Sequence, residues 1–231
     1  MSTKIIVSYD GTANEDDAIA LGRLFGNAGA EMSVAYVRHS READPAAEAA
    51  AEKEAEALVE RGVQLLGIPT AGRHVATDRS TPEALSRLAD EIQADAIVFC
   101  SDSHTAKGHI GPGNSSTRLL DGGSKAIAIA PADLADETDY RIQNVVAVPD
   151  GGGGAEATAQ ALANALGANL APVANEETDL LVFDSRPVAA PGRVLVSSSA
   201  MHLIEIATCP VLVLPRDVTL TFGRSTAAAA A

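Results

Sequence analysis

The sequence predicts an α/β protein built on a doubly wound parallel sheet, and three observations carry that expectation. Short β-branched runs alternate with segments of helical periodicity from Lys4 to Ala130. The first of these runs, Lys4-Ile-Ile-Val-Ser-Tyr9, is β-branched and reads as a buried parallel strand. Turn and capping residues fall where the periodicity changes: Asp10-Gly11, Asp44-Pro45 and Ser80-Thr-Pro-Glu83.

Taken in order, Lys4–Tyr9 is the first strand, and Asp10-Gly11 turns the chain. Thr12-Ala-Asn-Glu15 has capping-box spacing and opens a helix with Ala18, Leu21, Leu24 and Phe25 on one face. Met32–Val37 is the second strand. Asp44 caps a long Ala- and Glu-rich helix with Pro45 at its first position, which reads as a solvated helix of high propensity. Arg73–Thr77 is the third strand. The next helix carries Leu85, Leu88, Ala89 and Ile92 as its apolar stripe. Ala96–Cys100 is the fourth strand, followed by a Gly-rich loop, a short helix over Ser115–Leu120 and a fifth strand over Ala126–Ala130. The polar stretch 132–143 reads as a linker.

The pattern then restarts. Lys4–Gly11 lies on Asn144–Gly151 without a gap at an offset of 140 residues. Asp95–Pro131 lies on Asp179–Pro215 without a gap at an offset of 84, with Asp95/Asp179, Phe99/Phe183, Ser101/Ser185, Gly108/Gly192, Ser115/Ser199 and Pro131/Pro215 identical. The offsets differ by 56 residues, so the second copy lacks a block equivalent to the long helix, the third strand and the third helix. The expected organisation is a complete domain over 1–133, a shortened one over 140–222 and a disordered tail over 223–231. Pro172 suits an edge segment. The strand over the segment 169–178 is expected to be short, absent or differently paired.

Composition narrows the function. The chain has 231 residues, 46% of them hydrophobic and 21% charged, enough for a packed core. A net charge of −14 argues against a nucleic-acid partner, and 3% aromatics without Trp leave little to stack on bases. No apolar run approaches the roughly 18 residues of a membrane span, and the first residues pass straight into a strand, so neither a membrane nor a leader peptide is expected. Cys100 and Cys209, the two cysteines, fit a reducing cytoplasm. His39, His74, His104, His109 and His202 lack zinc spacing, and no serine sits in Gly-x-Ser-x-Gly, so no catalytic or metal constellation is read.

Val7-Ser-Tyr-Asp-Gly11, the segment Ala96–Pro131, and Arg193-Val-Leu-Val-Ser-Ser-Ser with Ala207-Thr-Cys-Pro-Val-Leu-Val-Leu-Pro215 resemble the universal stress protein family, in tandem form with a degenerate second copy. The resemblance implies a five-stranded parallel sheet in the order 3-2-1-4-5. It also implies ATP or AMP at the carboxyl edge, and pairing through the fifth strands, here as an intrachain pseudo-dimer with possible homo-oligomers beyond it.

Carried over residue by residue, the family's Gly-x2-Gly-x9-Gly-Ser/Thr loop falls on Cys100, Ser103, Gly113 and Asn114, so only the third glycine is kept. Asn114 retains a capping side chain, and Ser115 and Ser116 retain hydroxyls. A rival register on Gly108 and Gly111 fails because Asp121 stands where the third glycine belongs. Asp10, preceded by Tyr9, matches the acidic residue that meets the nucleoside, and Val37 matches the apolar position lining the base. Lys107 and Arg118 are the cations near the loop, so weak or Mg2+-assisted nucleotide binding is expected. In the second copy the matched places hold Asp184, Pro187, Ser197 and Ser198; a carboxylate there opposes phosphate, and no binding is expected. The Gly151–Gly154 run reads as a permissive strand-to-helix connection. The alternatives left open are a non-nucleotide member acting through dimerisation or protein partners and, on fold analogy alone, an adenylating or electron-transfer enzyme.

Overall fold

The computed structural model describes residues 2–223. Of the expected disordered tail, 224–231 lie outside the described residues. The first half runs β1 (Lys4–Ser8), α1 (Asp16–Asn27), β2 (Glu31–Arg38), α2 (Pro45–Leu66), β3 (Gly72–Thr77), α3 (Thr81–Glu91), β4 (Ala96–Cys100), α4 (Asn114–Leu120) and β5 (Ala126–Ala130). The second runs β6 (Asn144–Val148), α5 (Ala155–Leu166), β7 (Asn169–Ala171), β8 (Leu180–Phe183), α6 (Ser198–Glu205) and β9 (Val211–Val213).

The nine strands among the described residues form one sheet in the order β3-β2-β1-β4-β5-β9-β8-β6-β7. The first five follow the expected 3-2-1-4-5 order. Every pairing is parallel except β5 with β9, which run antiparallel with Ile127, Ala128 and Ile129 opposite Val213, Leu212 and Val211. β7 is three residues long and pairs parallel on the outer edge of β6, which answers for the segment that carries Pro172.

Two hydrophobic layers cover the sheet. One joins α1, α2 and α5 to Val7, Val98, Ala128, Val145 and Leu212. The other joins α3, α4 and α6 to Ile97, Ile127, Ile129, Leu181 and Val213. Side chains of one strand alternate between the layers because the pleat has a period of two. Each layer continues across the β5–β9 seam. Among the described residues the second half carries α5 on one face and α6 on the other, where the first half carries α1 with α2 and α3 with α4.

Helix starts follow side-chain chemistry, with departures. Asp44 accepts the Ala47 N–H at 2.9 Å and caps α2, as expected. The capping box at Thr12 is not made. Ala13–Glu15 form a tight 3-10 turn, and the Glu15 carboxyl reaches back to the N–H of Asp10 instead. Asn114 does not cap α4: it is the first helical residue, and Gly113 holds the cap position without a side-chain bond.

Residues 220–222 tie the halves together. The Leu220 N–H donates to the buried Thr158 hydroxyl on α5 at 3.0 Å, and Thr221 exchanges bonds with Thr3. Phe222 then stacks on Phe25 of α1, ring centres 6.2 Å apart.

Candidate functional site

In an open parallel sheet, ligands sit beyond the carboxyl ends of the strands, where the chain reverses its winding direction. Here that point lies between β1 and β4, and a cleft of about 450 Å³ opens there. The structure brings Tyr9, Asp10, Val37, Cys100, Ser103, Gly113, Asn114, Ser115 and Ser116 to its wall. They come from the ends of β1, β2 and β4, the loop after β4 and the start of α4.

Their environments differ. Tyr9 is 1% exposed; its ring packs in the core beneath α2, with its hydroxyl 3.4 Å from Asp16 Oδ1. Asp10 is exposed, and its Oδ1 accepts the N–H and hydroxyl of Thr12 at 2.9 and 2.6 Å. This Asx turn holds the carboxylate at the rim. Val37 is buried. Cys100 Sγ accepts from Asn14 Nδ2 at 3.3 Å, and burial pushes its thiol up to about 12, so it stays a protonated thiol rather than a nucleophile. Ser116 Oγ donates to the Gly113 carbonyl at 3.0 Å, and Ser103 Oγ lies 3.3 Å from His104 Nδ1.

Sequence reasoning missed several wall residues, among them Asn14, Glu15, Tyr36, His39, Thr81 and Asp102. Glu15 is the most informative. Burial first, and the Asp10 carboxylate second, push its carboxyl from 4.5 up to about 9. Its position in an apparent capping box disguised this, because that motif expects a carboxylate turned to its own helix. The raised value has a consequence for stability. Below pH about 4.5 the unfolded chain also holds this proton, and the group's stabilisation is complete. As pH rises toward 9 the unfolded chain releases the proton and the folded one must follow, so stability falls. Glu15→Gln should flatten that decline and raise the urea midpoint at pH 8.5 while changing it little at pH 4.5. Equal midpoint shifts at both values would refute the assignment.

No Lys or Arg lines the cleft among the described residues. Lys107 lies outside its wall, and Arg118 is turned away into an ion pair with Glu83. Neither compensates a bound anion directly. The carboxylates of the wall are Asp10 and Asp102, Glu15 keeping its proton up to pH about 9, and His39 adds an imidazole.

The loop glycines have separate reasons. Gly108 adopts φ +73°, which favours glycine. A Cβ on Gly111 would collide with the Thr105 side chain. Gly113 has φ −70°, and an added Cβ would meet no atom within 4 Å, so nothing inside the protein asks for glycine there.

The corresponding place in the second half is closed. Asp184, the counterpart of Cys100, is 3% exposed. It accepts the N–H groups of Gly153, Gly154 and Ala155 at 3.0, 2.8 and 2.7 Å. The Gly151–Gly154 turn is therefore an anion-binding nest filled by the chain's own carboxylate. The Asp184 carboxylate thus occupies the N–H donors of this turn itself.

The halves also share bonds at the 84-residue offset. Ser101 Oγ donates to the Ala130 carbonyl at 2.7 Å and accepts the Gly111 N–H at 3.1 Å. Ser185 Oγ does the same with Leu214 and Leu195 at 2.6 and 3.1 Å. Gly108 N–H to Ala132 and Gly192 N–H to Arg216 match at 2.8 and 2.9 Å. Asp95 accepts the Lys4 N–H, and Asp179 accepts the N–H of Asn144, the match of Lys4 at the 140-residue offset, each at 2.8 Å.

No protein-family model matches the chain, and no curated protein matches it by sequence. Solved structures do share its fold. A universal stress protein from Archaeoglobus fulgidus superposes with a TM-score of 0.68 at 13% identity, over 94% of this chain and 99% of that one. A candidate universal stress protein from Pseudomonas aeruginosa gives 0.62 at 14% identity, over 94% of each chain. A protein of unknown function from Pseudomonas aeruginosa PAO1 gives the same values. The chain thus has the fold of universal stress protein structures along nearly its whole length. No helix among the described residues is long and apolar enough to cross a membrane.

Proposed function

We propose that the first half binds an adenine nucleotide in the cleft between β1 and β4, as a universal-stress-protein-like sensor rather than a catalyst. Gly113 is the observation that carries this reading. Its missing side chain serves no contact within the protein, so the open approach is kept for a ligand. Asp10 is suited to accept from ribose hydroxyls, and Val37 to meet the base. The backbone at Gly113 and Asn114 and the Ser115 hydroxyl offer donors to a phosphate.

The wall's charge selects among nucleotides. Each added phosphate brings negative charge against Asp10 and Asp102 with no cation beside them. AMP is therefore favoured over free ATP, and Mg2+ would offset part of the difference. Titration calorimetry with AMP, ATP and ATP with Mg2+ tests this. AMP should bind at least about tenfold more tightly than Mg2+-free ATP. Gly113→Val should weaken AMP at least about tenfold, while the melting temperature falls only by the small amount expected for a poorer N-cap residue on α4. Absence of heat from every nucleotide at millimolar concentration would overturn the reading.

That result would leave the second reading, a protein that acts through dimerisation or partners without nucleotide. The cation-free wall favours it.

The second half is, on this proposal, a shortened tandem copy that serves as a built-in dimer partner. The bonds repeated at the 84-residue offset support duplication, and the antiparallel β5–β9 pairing supports the pseudo-dimer.

A further inference from the structure

We infer that the second half carries a docking groove for an amphipathic helix with a basic flank, supplied by another protein. In the first half, α3 covers β4 and α4, and its Leu85 and Leu88 pack with Ile97, Phe99 and Leu119. The second half has no such helix. The counterparts of those covered residues, Leu181, Phe183 and Leu203, line an apolar groove of about 210 Å³ together with Val148 and Ile206. Leu119 is 7% exposed, whereas its counterpart Leu203 is 41% exposed and Ile206 beside it 55%.

Charge names the occupant. In the first half two cations hold the acidic α3: Arg118 pairs with Glu83, and Lys125 Nζ lies 2.9 Å from Asp90. At the 84-residue offset those cations become His202 and Cys209. The segments that line the second groove carry acidic neighbours: exposed Glu176 and Glu177 lie on the loop that supplies Ala174, Asn175 and Thr178 to its wall, and exposed Glu205 on α6 precedes Ile206. None of the three has an ion pair among the described residues. The polarity is reversed while the apolar floor is kept. A helix with leucines at α3 spacing and Lys or Arg on its flanks matches both. A second copy of this chain does not, since two acidic rims at a net charge of −14 would repel.

The probe is a helix-stapled, fluorescein-labelled peptide of residues 80–93 carrying Glu83→Lys, Asp90→Lys and Glu91→Lys. It is titrated with the full chain by fluorescence anisotropy. Saturable binding is expected, weakening as salt rises from about 50 to 500 mM. Leu203→Glu and Glu177→Lys should each weaken it at least about fivefold. Val188→Glu, at an exposed site outside the groove, should leave it unchanged. The unsubstituted acidic peptide should bind at least about tenfold more weakly. The inference is overturned by no saturation at about 1 mM chain, by equal loss in the Val188 variant, or by a wild-type dimer that Leu203→Glu converts to monomer.

Discussion

Asp184→Ala is expected to lower the stability of the full chain by on the order of 3 kcal/mol. Three backbone donors leading into α5 depend on this one side chain, two of them buried, with Gly154 and Ala155 both bonded to Oδ1. Alanine would remove every acceptor at once, and water has little access to replace them because Asp184 is 3% exposed. The full desolvation cost of unpaired buried groups then applies, alongside the loss of a negative charge at a helix N-terminus. Asp184→Asn keeps one acceptor and should cost less than half as much. Urea unfolding checks both, with a lower midpoint and an unchanged m-value expected. A loss below about 1 kcal/mol in Asp184→Ala would refute the account of a self-filled nest.

The same residue marks where sequence reading stops. Strand runs, Asp-Gly corners and the Asp44-Pro45 start are local signals, and the elements they imply are present. The 84-residue register was legible because loop contacts at Ser101 and Ser185 constrain side chains on both sides of the loop. Asp184 could be placed by that register, but its bonding partners lie about thirty residues earlier in the chain, beyond any local motif. Glu15 misled for the opposite reason. Its spacing from Thr12 is that of a cap, yet the 3-10 turn swings its carboxyl toward Asp10 and into a buried setting. The cleft wall illustrates both cases: its register positions were readable, whereas Asn14, Tyr36 and Thr81 enter it through packing of the 3-10 turn before α1, and of β2 and α3, around the strand ends.

Residues 140–231 expressed alone are expected not to fold cooperatively. The fragment would retain β6, β7, β8 and β9, two of them only three residues long. It would lose β5, so the hydrogen-bonding edge of β9 at Val211–Val213 would face water. Val211, Leu212, Val213 and Leu214 are each at most 1% exposed in the whole chain, and their layers are completed from the first half by Ala128, Leu134, Ile127 and Ile129. The strap that carries Phe222 would also lose Phe25 and Thr3. With one helix on each face, so small a unit buries too little apolar area to offset the entropy of ordering its backbone. Circular dichroism and urea titration of the fragment should show a broad, non-cooperative profile and association at micromolar concentration. The full chain should unfold in a single transition in which both halves take part, followed through hydrogen exchange at Val98 and Val182. A soluble, monomeric fragment with a sharp transition would count against the second half's dependence on β5, and with it the reading of the β5–β9 seam as a dimer contact built into one chain.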